Sequence, residues 1–198
     1  MSKRAGVLAL QGDVPQHLEA AAAVLGGDRV LEVRTPKDLE QVEALFLPGG
    51  ESTTLSQLLD KSFLRVPLTS RIRQGLPVLA TCAGLILLAR ELEPTPHGRD
   101  PEPLRVLDVK VRRNDYGRQA DSFETVLEVE GVGKDIPAAF IRAPRILSVG
   151  SGVQVLSRVR EDPVIVRQGS IWGLTFHPEV TGDHRLHAAF LRASGLLS

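Results

Sequence analysis

Three short stretches carry residue types that can do chemistry together: TCAGL around Cys82, PGGEST from Pro48, and FHPE from Phe176. Cys82 is the only cysteine in the chain. It follows the apolar, strand-like LPVLA and precedes GLILLARELE, whose Leu85, Leu88 and Leu92 keep helical spacing. A strand turning sharply into a helix holds a nucleophile on an exposed corner. The helix start behind it favours thiolate over thiol. The N–H of Ala83, free at that start, can point at a developing oxyanion. Ala80 and Gly84, two residues to either side, are small, as such an elbow requires.

Gly49 and Gly50 follow the strand-like EALFLP. Adjacent glycines let backbone approach a ligand closely, so this peptide can supply a second oxyanion donor. A phosphate-binding loop is excluded because no lysine stands in the Gly-Lys-Ser/Thr position. His177 and Glu179, separated by Pro178, lie at the end of the apolar run IWGLTF. At strand spacing their side chains leave on one face. A thiol nucleophile needs an imidazole as base, and the imidazole needs an acceptor to set its tautomer; His-x-Glu supplies both. Singly, each piece has an ordinary explanation: a core cysteine, a turn, a surface histidine beside an incidental glutamate. Jointly they describe a Cys82–His177–Glu179 triad with backbone donors at Gly49, Gly50 and Ala83, suited to acyl transfer through a thioester. The remaining histidines carry less. His17 and His187 fall on amphipathic helices and His97 in a polar loop, while His184 and His187 have an i, i+3 spacing with no further ligands to make a metal site. No metal is expected.

The elements that must position these groups alternate through the first half. RAGVLAL, RVLEV, EALFLP and LPVLA read as strands. PQHLEAAAAVLG, the stretches Thr53 to Lys61 and Phe63 to Gln74, and the segment after Cys82 read as helices. Such alternation predicts a mostly parallel sheet covered on both faces, with the site at the carboxyl ends of its strands. Beyond Pro94 the rhythm changes. RVLDVKV, ETVLEVEG, AAFIRAP, VQVLSRV, PVIVRQG and IWGLTF are short strands with turns between them, until HRLHAAFLRAS closes the chain as a helix. The expected fold is α/β, a three-layer unit spanning residues 1–198 as one domain, with a strand-rich C-terminal half.

Composition narrows the classes further. The chain has 198 residues, 42% of them apolar, and 24 basic side chains balance 24 acidic ones. That is enough for one full core, and no basic excess invites nucleic acid. No apolar run reaches the roughly 20 residues of a membrane helix. The start, MSKRAGVLALQG, shows no leader pattern, and a lone cysteine suits a reducing compartment, so the expected location is the cytoplasm.

In this order, TCAGL, PGGEST and FHPE resemble the class I, triad-type glutamine amidotransferases, a fold similar to flavodoxin. GVLALQGDVPQH, TCAGLILLA, RRNDYGRQADSFE, FIRAP and FHPEVTGDHR resemble more narrowly those that serve as glutaminase subunits of pyridoxal 5′-phosphate synthases. The resemblance covers essentially the whole chain. FHPE is shared by many glutaminases, whereas RNDYGRQ-DSFE and FIRAP are far more specific. The resemblance implies the triad of Cys82, His177 and Glu179, and glutamine contacts from Gly50, Glu51, Ser52, Arg113, Ile141 and Arg142. For the two arginines there is a physical reason, since guanidinium binds an α-carboxylate well. It implies hydrolysis of L-glutamine to L-glutamate and ammonia, no bound cofactor, and a (β/α)8-barrel synthase partner that receives the ammonia in a hetero-oligomer of twelve copies of each chain. Two departures stand out: Ala80 where the family more often has glycine, and Asp115 and Tyr116 where it often has Ser-Phe. Two rival readings keep the fold. One is the glutaminase of another pathway, such as imidazole glycerol phosphate synthase. The other is a redox-sensing α/β protein with a reactive elbow cysteine.

Overall fold

A computed structural model describes residues 3–95, 100–113 and 122–198. His97, Asp115 and Tyr116 lie outside the described residues. The first half alternates as expected: β1 (Ala5–Leu8), α1 (Val14–Leu25), β2 (Val30–Val33), α2 (Pro36–Leu39), β3 (Ala44–Leu47), α3 (Ser52–Lys61), α4 (Arg65–Arg73), β4 (Val78–Thr81) and α5 (Ala83–Leu88). The second half is strand-rich: β5 (Ala89–Leu92), β6 (Leu107–Arg112), β7 (Phe123–Val129), β8 (Gly133–Phe140), β9 (Arg145–Val149), β10 (Gln154–Val159), β11 (Asp162–Gln168) and β12 (Ile171–Leu174), closed by α6 (Arg185–Ala193).

The main sheet has seven strands in the order β10-β11-β12-β4-β3-β1-β2. The run β12, β4, β3, β1, β2 is parallel, and β11 and β10 fold back antiparallel at one edge. Its central strands are apolar throughout because both faces are covered. On β3, Leu45 and Leu47 join one core with Leu55, Leu68 and Ile86, while Ala44 and Phe46 join the other with Ala21, Trp172 and Phe190. That division follows from the alternation of side chains along a strand buried on both sides. The fold is therefore the α/β class expected, with a mostly parallel central sheet between helices. Among the described residues no helix is long and apolar enough to cross a membrane.

Two smaller pieces accompany the main sheet. β5, β6 and β9 form a three-stranded sheet, and β7 pairs with β8 as a hairpin. Here the structure corrects the reading of GLILLARELE as one helix. α5 stops at Leu88, and Ala89–Leu92 becomes β5, parallel to β6. Every residue of α5 is buried, so Leu85 and Leu88 belong to no amphipathic stripe. Strand pairing claims the residues after Leu88: the charged side chains of Arg90 and Glu91 meet Asp108 and Lys110 across the ladder at 2.9 and 2.7 Å. Tertiary pairing overrides local helix preference. The short α2 and the strand β9 are additions to the expected elements. α2 has its signal in TPKD: Thr35 accepts from the Asp38 N–H while the Asp38 carboxylate accepts from the Thr35 N–H, a capping box.

Candidate active site

Four neighbouring parallel strands deliver the site from their carboxyl ends. After β4 the chain turns at Cys82, which adopts φ 47° and ψ −103°. A non-glycine residue held there stores on the order of 1–3 kcal/mol. The turn is over-determined by the Cys82 N–H donating to Leu174 O at 2.9 Å and by Ile86 N–H donating to Cys82 O at 3.2 Å. Gly84 lets α5 pack directly on the end of β3, since a Cβ there would lie 2.4 Å from Leu47 O. Ala83 is the first residue of α5, so its N–H has no carbonyl within the helix to serve.

After β3 comes Gly49-Gly50. A Cβ on Gly49 would sit 2.3 Å from His177 Cε1, and Gly50 has φ 145°. The Gly49 carbonyl accepts from the Asp13 N–H at 3.3 Å, which ties this peptide to the loop after β1. In the same loop Gln11 Oε1 accepts from the Glu51 N–H at 2.9 Å. Glu51 itself caps α3, its carboxylate accepting from Thr53 and Thr54 N–H at 3.1 and 2.7 Å. Ser52, at the start of α3, is buried.

After β12 the chain supplies His177 and Glu179. They do not lie on a strand, as their spacing suggests: β12 ends at Leu174, and His177 instead precedes a single 3-10 turn, Pro178–Val180. The turn brings the two side chains together all the same, with His177 Nδ1 at 2.8 Å from Glu179 Oε1. His177 is anchored by its own N–H, which donates to Ala139 O of β8 at 2.9 Å. This bridge also explains how Ile141 and Arg142, just past β8, reach the site.

The electrostatics follow from burial. His177 and Glu179 are buried and Cys82 is only 7% exposed. Burial works against an imidazolium at His177, but hydrogen bonds with Asp13, Cys82 and Glu179 outweigh it and push its pKa up to about 12. Burial likewise opposes ionisation of Glu179, yet His17 and His177 hold its carboxyl well below the usual range. Protonated His177 beside the cysteine, with an ionised carboxylate behind, places a proton donor next to a candidate nucleophile.

Cys82, His177, Gly50, Glu51, Ser52, Arg113, Ile141 and Arg142 all line one cleft of about 300 Å³. Glu179 is not among its lining residues; it supports His177 from behind. Arg113 follows β6 and lines the cleft, its guanidinium reaching Asp100 and Thr53 at 3.3 and 3.4 Å. Ile141 is 42% exposed and Arg142 has φ 43°. Reasoning from the sequence missed three residues here. Asp13 presents Oδ2 to His177 Nδ1 at 3.1 Å, and Gln11 lines the same cleft. Both follow a parallel strand, β1, so the carboxyl-end rule could have found them. His17 is fully buried, 3.4 Å from Glu179; its helix position carried no such signal. The His184–His187 pair gathers no further ligand among the described residues, and the His187 ring packs towards His17, with ring centroids 5.5 Å apart.

Comparisons with known proteins identify the family and the fold. A family model described as the SNO glutamine amidotransferase family matches residues 7–195. The chain is 50% identical over 187 residues to the pyridoxal 5′-phosphate synthase subunit PdxT of Thermotoga sp. (strain RQ2), covering 94% of this chain and 96% of that one. To the protein of the same description from Mycobacteroides abscessus it is 51% identical over 191 residues, covering 96% and 97%. A solved structure described as a glutamine amidotransferase superimposes with a TM-score of 0.88 at 45% identity, over 96% of this chain and 98% of that one. PurLQS from Thermotoga maritima shares only the fold, with a TM-score of 0.66 at 16% identity over 97% of this chain and 99% of that one.

Proposed function

The chain belongs to the SNO glutamine amidotransferase family, and from that premise we propose that it is the glutaminase subunit of a pyridoxal 5′-phosphate synthase. It hydrolyses L-glutamine to L-glutamate and ammonia, and the ammonia passes to the synthase subunit. The observation that carries this reading is the 2.8 Å His177–Glu179 hydrogen bond beside an elbow cysteine, in a cleft sized for one amino acid. Relatives about half identical in sequence are synthase subunits, which favours this reading over imidazole glycerol phosphate synthase or a redox sensor.

In this mechanism the Cys82 thiolate attacks the side-chain amide carbon of glutamine. The oxyanion so formed is held by N–H groups of Ala83 and of the Gly49-Gly50 peptide. His177 protonates the departing nitrogen, ammonia leaves, and a γ-glutamyl thioester remains on Cys82. His177, now neutral, takes a proton from water; the hydroxide attacks the thioester through a second oxyanion, and glutamate departs as the thiolate reforms. Glu179 accepts from His177 Nδ1 throughout, keeping the other ring nitrogen toward sulfur. Arg113 and Arg142 meet the α-carboxylate, and Gly50, Glu51, Ser52 and Ile141 complete the glutamine contacts.

The partner is a (β/α)8-barrel synthase, in a hetero-oligomer of twelve copies of each chain. Its docking controls the oxyanion donor at Gly49-Gly50. Glycine peptides reorient at little steric cost, and here the Gly49 carbonyl is held by Asp13 of the QGD segment. Docking against Gln11 to Asp13 sets that peptide. Losing one oxyanion donor costs about 10²–10³ in rate. Ammonia release from glutamine, followed across a titration with the synthase, is expected to be weak at first and to rise at least about tenfold. No ammonia at any synthase concentration would overturn the glutaminase reading. Full activity without the synthase would overturn only the control by docking.

A further inference from the structure

His17 lies on α1, fully buried, where an amphipathic helix facing the sheet ordinarily carries an aliphatic residue. Its ring packs on Phe46, with centroids 5.8 Å apart, and its Nε2 faces two oxygens. Glu179 Oε1 is 3.4 Å away, and the hydroxyl of Thr81, the residue before Cys82, is 3.1 Å away. On its other side, His17 Nδ1 is 3.4 Å from His187 Nε2.

Glu179 depends on what meets one of its two oxygens. Its side chain is wholly buried, and its Oε2 has no hydrogen-bond partner among the described residues. A buried carboxylate without adequate partners is costly and takes up a proton instead. A protonated Glu179 would still accept from His177 but more weakly, and it would no longer balance the charge of the imidazolium. His177 meets Oε1 at 2.8 Å, and among the described residues His17 Nε2, 3.4 Å from that same oxygen, is the other ring nitrogen within reach, so the charge of Glu179 is held at Oε1 alone.

The histidine pair has two consistent proton arrangements. In one, His187 Nε2–H donates to His17 Nδ1, and His17 Nε2–H lies between the Thr81 hydroxyl at 3.1 Å and Glu179 Oε1 at 3.4 Å. In the other, His17 Nδ1–H donates to His187, and a lone pair faces the carboxylate. The second sets two acceptors against each other and buries an unsatisfied N–H at His187 Nδ1, which has no partner among the described residues. The carboxylate therefore selects the first, giving a directional chain His187–His17–Glu179–His177–Cys82.

We propose that His17 is a positioning residue for this chain, its Nε2–H holding Glu179 ionised and oriented for His177, with His187 setting its tautomer. This rests on the glutaminase reading above. Loss of a donor to a buried charged group costs about 10–100-fold.

The test uses the complex with the synthase. His17→Phe keeps an aromatic ring and removes the donor; His17→Gln keeps an N–H at similar reach. In His17→Phe, kcat for glutamine should fall about tenfold or more while KM hardly changes, and His17→Gln should recover most of the loss. The alkaline limb of the pH profile should move to lower pH in His17→Phe, because a weaker Glu179 restraint loosens the imidazolium of His177. The charged or titratable groups facing this region are Asp13, Cys82, Glu179, Asp183, His184 and His187, and none is altered. Normal kcat and an unmoved limb in folded His17→Phe would overturn the proposal. So would equal impairment of both variants with the limb unmoved, which marks a packing role. If His17→Phe does not fold, His187→Phe serves: a smaller loss with the same limb shift supports the chain, and wild-type behaviour overturns it. Cys82→Ala run in parallel separates the two levels, since activity there would sink the glutaminase reading itself.

Discussion

At the scale of the residue, the proposed mechanism assigns unequal tasks to three side chains. Cys82 alone can form the thioester, so Cys82→Ala should abolish glutaminase turnover, and a glutamine analogue with an electrophilic side chain should label no other residue. His177 moves both protons, and removing it should be nearly as damaging, about 10⁶-fold in kcat, because residues acting as a unit fail together. Glu179 acts through His177 and should cost less on removal, about 10⁴-fold. Asp13, at 3.1 Å from the same nitrogen, softens that loss by offering a second carboxylate. The order is checked by kcat of the three alanine variants, each verified as folded. Glu179→Ala falling below His177→Ala would reverse the roles. The proposed triad was legible in the sequence because each member stands in a short motif beside a strand. His17 was not legible, since only the packing of α1 under the turn at Pro178 shows that its imidazole meets a carboxylate.

At the scale of the element, the elbow depends on how closely α5 approaches the end of β3. Gly84 permits it, because a Cβ would lie 2.4 Å from Leu47 O, a backbone atom that cannot swing aside. Gly84→Ala should therefore destabilise the protein by about 1–3 kcal/mol, the usual cost of overpacking, and lower activity by shifting Cys82. Gly27→Ala is the control: nothing lies within 4 Å of its added methyl, and a surface change of this kind stays within about 0.5 kcal/mol. Urea midpoints for the two variants decide the matter, and equal midpoints would refute the packing argument. The departure at Ala80 has a simple account, since its side chain is buried in the core that α5 shares. Helix boundaries here were only partly legible. The run GLILLARELE has helical spacing to its end, but the charged ladder between β5 and β6 takes its last residues.

At the scale of the whole molecule, burial of titratable groups shapes stability against pH. Burial chiefly lowers the pKa of His187 to about 3, so the unfolded chain binds the extra proton below the ordinary value of 6.5, and stability falls as pH drops from there. Glu179, depressed in the fold, adds to the loss below its ordinary value of 4.5. His177 is raised, so its contribution is complete below 6.5 and is lost as pH climbs toward about 12. The two trends meet near pH 6.5, where unfolding free energy from urea titrations should be greatest. A stability that rises steadily through the mildly alkaline range would contradict the assignment.

By itself the sequence determined which groups are available and roughly where they emerge: an alternating first half builds a parallel sheet, and Gly49, Cys82 and His177 each follow one of its strands. Those are local facts, carried by period, small residues and turn chemistry within a few positions. Tertiary structure decided what long-range packing decides. It ordered the strands so that β1, β3, β4 and β12 end side by side, and it bent the chain after β12 into a turn rather than an extended end. It also swung Ile141 and Arg142 to the cleft through the β8 bridge to His177. Placing Asp13 and His17 against the His177–Glu179 pair was its decision too, because such contacts join residues from opposite ends of the chain; the end of β1 hints at Asp13, but no local pattern encodes the contact of His17.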